Sequence, residues 1–139
     1  MTASLQDVFA DTSFWIALVI KQDQYHQRAR DCSQRISGQI VTTGPVLLET
    51  ANTLSRASWR SHGVALIDRL QSRDDVEIVE LSPSLWQRGW DLFRSRTDKQ
   101  WSLTDCTSFV VMRDKGLTHA LTADDHFRQA GFQALLLEQ

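Results

Sequence analysis

Short apolar or β-branched runs recur along this chain with helical patterns between them, and no other feature restricts the possible folds so strongly. The runs are Val8–Ala10, Ile40–Thr43, Val76–Leu81, His119–Thr122 and Ala134–Leu137. Strands separated by single helices or helix pairs pair in parallel through crossover connections. An α/β fold is therefore predicted, with an open parallel sheet covered by helices on both faces.

The intervening segments carry helix signals. Asp11-Thr12-Ser13 is a capping turn ahead of Phe14-Trp15-Ile16-Ala17-Leu18. Tyr25, Ala29, Cys32 and Ile36 mark an amphipathic helix that ends at Gly38. Gly44-Pro45 opens another, with Pro where a missing N–H costs nothing, and Leu47, Ala51, Leu54 and Ser58 form its stripe. A break is expected at Gly63, and helix again from Val64 to Leu70. Pro83 starts a helix whose Leu85, Trp86, Trp90 and Phe93 are read as its inner side. Leu103–Met112 is strongly apolar and helical, and a further helix contains His126 and Phe127.

At 139 residues, 42% of them hydrophobic, the chain reads as one domain over residues 1–139. A chain of this size buries about 68–70% of its unfolded surface, so its core needs neither disulfides nor a structural metal. Cys32 and Cys106 sit at no metal-ligand spacing and read as reduced, small apolar residues. Fifteen Lys and Arg against 17 Asp and Glu exclude a whole-surface basic field, so an anionic partner must be met locally. Met1–Ala10 lacks a basic stretch leading into a long apolar one, and no apolar run reaches the length that spans a bilayer. A cytoplasmic protein without a membrane segment is expected.

Ligands of open parallel sheets gather at the carboxyl ends of the strands, and four acids meet that condition. Asp11 terminates the first strand, Glu49 lies early in the helix after the second, Asp105 opens the Leu103–Met112 helix, and Asp124 follows the strand ending at Thr122. If those helices start on one edge of the sheet, the four carboxylates converge. Like charges a few ångströms apart push at least one pKa upward, and a divalent cation relieves the conflict. Mg²⁺ or Mn²⁺ suits a pocket of Asp and Glu, and the implied chemistry is phosphodiester hydrolysis.

Each acid also has a structural reading. Asp11 is placed to cap its helix. Glu49 falls roughly 200° from the Leu47–Ala51–Leu54 stripe at about 100° per residue, which is a solvated position, although Val46 and Leu48 flank it. Asp105 stands three residues after Ser102 as in a capping box, and Thr122 with Asp125 forms a second such pattern, which leaves Asp124 for the site. Asp98 is either a fifth ligand or part of the charged Arg94–Lys99 loop.

With these residues assembled, the chain resembles the PIN-domain family of Mg²⁺-dependent ribonucleases, and within it the VapC-like toxins of bacterial toxin–antitoxin pairs. The likeness runs the whole length. It rests on Asp11-Thr12-Ser13 with the apolar run after it, Leu47-Leu48-Glu49-Thr50, Trp101-Ser102-Leu103-Thr104-Asp105-Cys106, and Leu121-Thr122-Ala123-Asp124 followed by His126-Phe127. The resemblance implies a parallel sheet of about five strands. It also implies Asp11, Glu49, Asp105 and Asp124 as catalytic and metal-holding residues, with a hydroxyl at Thr12 or Ser13 assisting. It further implies an RNA substrate, a homodimer, and a small antitoxin that sends an Arg into the acidic groove, where a guanidinium pairs bidentately with carboxylates.

An acidic pocket repels RNA unless basic residues rim it, and Arg56, Arg60, Lys99 and Arg128 are the candidates. Trp101 is placed either to stack a base or to be buried under the helix it precedes. No catalytic role is assigned to His26, His62, His119 or His126, although His126 lies close to Asp124. A phospho-acceptor signalling module would need paired acids after the first strand and a lysine after a late one, and neither is present. A phosphatase with an Asp nucleophile would need an acid where Ser13 stands. The remaining rival is a PIN-like fold that binds RNA or a partner without cleaving it.

Overall fold

The computed structural model describes residues 5–138, so the reading of Met1–Ala10 as free of a targeting signal falls partly on residues 1–4, outside the described residues. The elements run β1 (Val8–Ala10), α1 (Thr12–Val19), α2 (His26–Arg35), β2 (Ile40–Thr43), α3 (Gly44–Thr53), α4 (Arg60–Ser72), β3 (Val76–Val79), α5 (Pro83–Ser95), α6 (Leu103–Asp114), β4 (His119–Leu121), α7 (Asp125–Gln129) and β5 (Gln133–Ala134). No helix among the described residues is long and apolar enough to cross a membrane.

All five strands are parallel, in the order β3-β2-β1-β4-β5. Every residue of β1 and β2 is buried, because central strands of a parallel sheet are covered on both faces. The chain first builds outward from β1 through β2 to β3, then crosses to the other side of β1 to lay down β4 and β5. The direction of winding therefore reverses between β1 and β4, and the crevice at their carboxyl ends is where such sheets take ligands. Val8 registers with Ile40 on one side of β1, and Ala10 with Leu121 on the other. Asp11 N–H continues that second ladder by donating to the Leu121 carbonyl at 3.1 Å.

The core holds Phe9, Phe14, Trp15, Phe109, Met112, Phe127 and Leu136, with ring contacts joining Phe9, Phe109 and Phe127. Trp101 is buried and meets Phe109 edge-on at 5.0 Å, with its Nε1 donating to Gln129. Of its two readings, packing under α6 is the one observed. Cys32 and Cys106 are buried and free, and burial with the neighbouring Asp105 charge pushes the Cys106 thiol up to about 11.

Several local expectations are corrected. Gly63 does not break the chain but lies in the first turn of α4, where a Cβ would stand 3.1 Å from Leu54 Cβ; the glycine lets α3 and α4 approach. The α3 stripe ends at Leu54, and Ser58 lies outside the helix. β3 stops at Val79, leaving Leu81 exposed. Ala134–Leu137 is not a strand: only Gln133 and Ala134 pair with β4, and Leu135–Leu137 turns into a 3-10 helix.

The largest correction concerns α5. Its buried residues are Leu85 and Gly89, and Gly89 packs so closely on Thr107 of α6 that an added Cβ would lie 2.6 Å from Thr107 Cγ2. Trp86 and Trp90 lie about 100° round the helix from Leu85 and Gly89 respectively, Phe93 lies about 40° from Gly89, and the three are 46, 37 and 41% exposed rather than inward. The three rings stack on one another along the outer flank, with centroids 6.1 and 5.7 Å apart.

Candidate metal centre

Three of the four acids singled out in the sequence meet at the β1/β4 crevice. Asp11 occupies the N-cap position of α1, but its side chain makes no cap hydrogen bond there. It is 5% exposed. Thr122 Oγ1 instead donates to its Oδ2 at 3.0 Å. Burial, opposed by the Thr12 backbone N–H and reinforced by the charges of Asp105 and Asp124, pushes the Asp11 carboxyl up to about 7.

Asp105 is held by a complete capping box at the start of α6. The Asp105 N–H donates to Ser102 Oγ at 3.0 Å, and the Ser102 N–H donates to Asp105 Oδ2 at 3.1 Å. The same Oδ2 lies 2.9 Å from His126 Nδ1. One carboxylate thus both caps α6 and belongs to the acidic cluster. Burial raises its pKa, His126 and the Ser102 N–H lower it, and Asp124 raises it again.

Asp124 is the N-cap of α7, accepting the His126 N–H on Oδ1 at 2.9 Å, so the capping box expected from Thr122 to Asp125 is not formed. Asp125 is exposed and turns toward Gln129 and Arg128. Thr122 Oγ1 accepts the Asp124 N–H at 3.0 Å. With its single proton committed to Asp11, Thr122 also takes the Ser13 O–H at 3.2 Å, and Ser13 Oγ in turn accepts the Ala123 N–H at 2.9 Å. Of the two hydroxyls at positions 12 and 13, Ser13 therefore joins this network. Thr12 lies 3.5 Å from the Val46 carbonyl.

Glu49 stands apart. It is exposed on α3, and among the described residues its carboxylate has no hydrogen bond or ion pair. It lines a hollow of about 450 Å³ whose walls include Leu48, Leu81, Trp86, Leu103 and Thr104, so it shares a groove with the residue preceding Asp105. Asp98 is outside the cluster: it is exposed, and Arg96 holds its carboxyl down to about 2. Of the basic residues considered as a rim, Arg60 lines a separate hollow with Leu54 and Gly63, and Arg56 stacks on Trp59 at 4.5 Å. Lys99 and Arg128 face Asp98 and Asp125 at 4.0 and 3.7 Å.

Two residues of this cluster are not legible in the sequence. Thr122 reads there only as the end of a strand and a candidate cap, and nothing assigns His126 a catalytic role. The sequence signal for His126 was its place two residues after Asp124. Donor atoms of Asp105, Asp124 and His126 all lie within 4.8 Å of one another, a grouping that can hold a metal ion. Two carboxylates and an imidazole beside a buried third carboxylate form a donor set of net negative charge, and a divalent cation fits it.

A parallel α/β sheet with acids at its β1/β4 switch point defines a class, and comparison with known families gives the same answer. The PIN domain model matches residues 8–133, and this chain belongs to the PIN domain family. It is similar to the 23S rRNA-specific endonuclease VapC20 of Mycobacterium tuberculosis, with 31% identity over 125 residues, covering 90% of this chain and 95% of the relative. The crystal structure of that VapC20, described as a Sarcin-Ricin loop cleaving toxin, superposes with a TM-score of 0.84 at 30% identity, again over 90% and 95% of the two chains. VapBC2 from Rickettsia felis, solved with a DNA fragment from its promoter, shares the fold with a TM-score of 0.64 at 13% identity over 93% and 96%.

Proposed function

We propose that this chain is a Mg²⁺- or Mn²⁺-dependent endoribonuclease that hydrolyses RNA phosphodiester bonds, and that it is the toxin of a cytoplasmic toxin–antitoxin pair. The observation that carries the reading is the meeting of Asp11, Asp105 and Asp124 at the β1/β4 crevice, where burial and mutual repulsion raise the Asp11 pKa in the absence of a cation. The similarity to an enzyme named for 23S rRNA supports rRNA, and its Sarcin-Ricin loop in particular, as the substrate.

In this reading Asp11, Asp105 and Asp124 hold the cation, and Glu49 contributes from the groove wall. When bound, the ion supplies positive charge to the phosphoryl oxygens and eases deprotonation of water at neutral pH. The chain's own residues supply orientation. Thr122 and Ser13 fix Asp11, the Ser102 capping box fixes Asp105, and the first turn of α7 fixes Asp124. All three acids sit at helix N-termini, whose partial positive charge favours an incoming phosphate.

A small antitoxin is the proposed silencing partner, inserting a guanidinium that pairs with the carboxylates in place of the cation. A second copy of the chain is the proposed occupant of the aromatic flank. Trp86 belongs both to the exposed rings of the flank and to the lining of the hollow with Leu48 and Leu81, so ring and hollow adjoin, as an isologous interface would use them. Antiparallel contact of two α5 helices would also set exposed Glu80 near the Arg94 and Arg96 end of its partner.

The purified chain is expected to cleave a Sarcin-Ricin loop RNA with Mg²⁺ or Mn²⁺, to stop in chelator, and to lose activity in Asp105→Asn, which keeps an acceptor for the cap. RNA binding with no product even in saturating Mg²⁺ or Mn²⁺ would favour the non-catalytic binding module instead. A short open reading frame immediately upstream, coding for a DNA-binding domain with a charged tail, would support the toxin assignment.

A further inference from the structure

The acidic hollow contains a nitrogen among its oxygens. His126 Nδ1 stands 2.9 Å from Asp105 Oδ2 and 3.4 Å from Asp124 Oδ1. Cis ligands of an octahedral ion with bonds of about 2.1 Å are about 3 Å apart, so both spacings approximate an octahedral edge. The ring is also fixed from behind. His126 N–H is bonded to Asp124, and the next residue, Phe127, is fully buried against Phe9 and Phe109, which anchors α7. The imidazole side chain remains 28% exposed.

We propose that His126 binds the metal directly through Nδ1, together with Asp105 and Asp124, and that this nitrogen tilts the site toward Mn²⁺ over Mg²⁺. The proposal rests on the metal-nuclease reading and adds a ligand to it. Mg²⁺ is a hard ion that takes oxygen and keeps its waters, whereas imidazole is a better ligand for later divalent ions and discriminates in favour of Mn²⁺. Facing an ionised Asp105, which only accepts, a metal-free Nδ1 is the hydrogen-bond donor. A ligating Nδ1 has no proton, so the neutral ring binds the ion in its Nε2–H form.

The test uses the full chain loaded with Mn²⁺ alone. Electron spin-echo envelope modulation is expected to show coupling to an imidazole nitrogen in the parent and to lose it in both His126→Asn and His126→Ala. In calorimetric titrations of the same proteins, the Mn²⁺ Kd should rise about tenfold or more while the Mg²⁺ Kd moves less than about twofold. Mn²⁺ binding to the parent without nitrogen coupling would overturn this proposal alone. So would equal weakening of both ions in the variants, which marks a ring that only orients Asp105. Failure of the parent to bind either ion would overturn the metal-nuclease reading as well.

Discussion

Thr122 Oγ1 donates to Asp11 Oδ2 across 3.0 Å, a contact between residues 111 positions apart that ties the end of β4 to the end of β1. The hydroxyl is fully buried and accepts two further hydrogen bonds, from Ser13 and from the Asp124 N–H, so one side chain sets the positions of two acids.

That relationship predicts the outcome of an isosteric change. Thr122→Val keeps the volume but leaves Asp11 Oδ2, the Asp124 N–H and the Ser13 hydroxyl without their partner. Stranding a buried polar group costs about 1–3 kcal/mol. Urea unfolding should show a loss of at least that size, with RNA cleavage falling in parallel, and Thr122→Ser should recover most of both. Wild-type stability and cleavage in the Val variant would show that the hydroxyl orients nothing.

Asp11 gives a pH-dependence whose sign follows from its burial. The carboxyl ionises near 4 in the unfolded chain and at about 7 in the folded one, so between those values the folded state holds the extra proton. Metal-free stability attributable to Asp11 is therefore complete below about pH 4 and declines as pH rises to about 7, by up to about 4 kcal/mol. Asp11→Asn cannot ionise and should flatten the Asp11 part of that decline in chelator, becoming more stable than the parent at pH 8, while Asp105, also raised by burial, leaves a slope of the same sign. Added Mg²⁺ should raise the melting temperature of the parent at pH 8 and have much less effect on the variant. Unfolding curves across pH decide the matter: an undiminished slope in the variant assigns it elsewhere.

What the sequence disclosed, and what it withheld, follows from the kind of information each feature needs. The β–α alternation was legible because strand and helix periods are local, and Asp11 and Asp124 stood out because each follows a strand directly. Ser102 and Asp105 were legible as a box because a cap is a four-residue pattern. The role of Thr122 depends on a partner 111 residues away, and that of His126 on where its ring points above Asp105, neither of which leaves a periodic trace. Trp86, Trp90 and Phe93 were misread because an apolar stripe has the same spacing whether it meets a core or a solvent-facing flank. The burial of Leu85 and the contact of Gly89 with Thr107 fix which side of α5 turns in.

Gly89 accordingly predicts a packing defect. In Gly89→Ala the new methyl meets Thr107 Cγ2 at 2.6 Å, and Thr107 is buried with its hydroxyl bonded to the Thr104 carbonyl, so making room disturbs that packing and hydrogen bond. Overpacking costs roughly 1–3 kcal/mol, against which the better helix propensity of Ala returns about 1 kcal/mol. A lowered melting temperature is expected, with cleavage reduced as well, because α6 carries Asp105 at its start. A melting temperature equal to or above the parent's would mean that α5 moves freely on α6.

The aromatic flank yields the prediction that separates stability from assembly. Core residues cut to serine lose several kcal/mol, but Trp86 and Trp90 already face solvent, so Trp86→Ser/Trp90→Ser should retain its helical circular dichroism and near-parental unfolding as a monomer. If a second copy covers the flank, burying two tryptophans per subunit would dominate the interface energy, since such rings are the usual anchors. Sedimentation should then show the parent at twice the monomer mass at micromolar concentration and the double variant at the monomer mass. A parent that sediments as a monomer throughout would remove the second copy as occupant of this surface, whereas a double variant that fails to fold would show that the rings act as core after all.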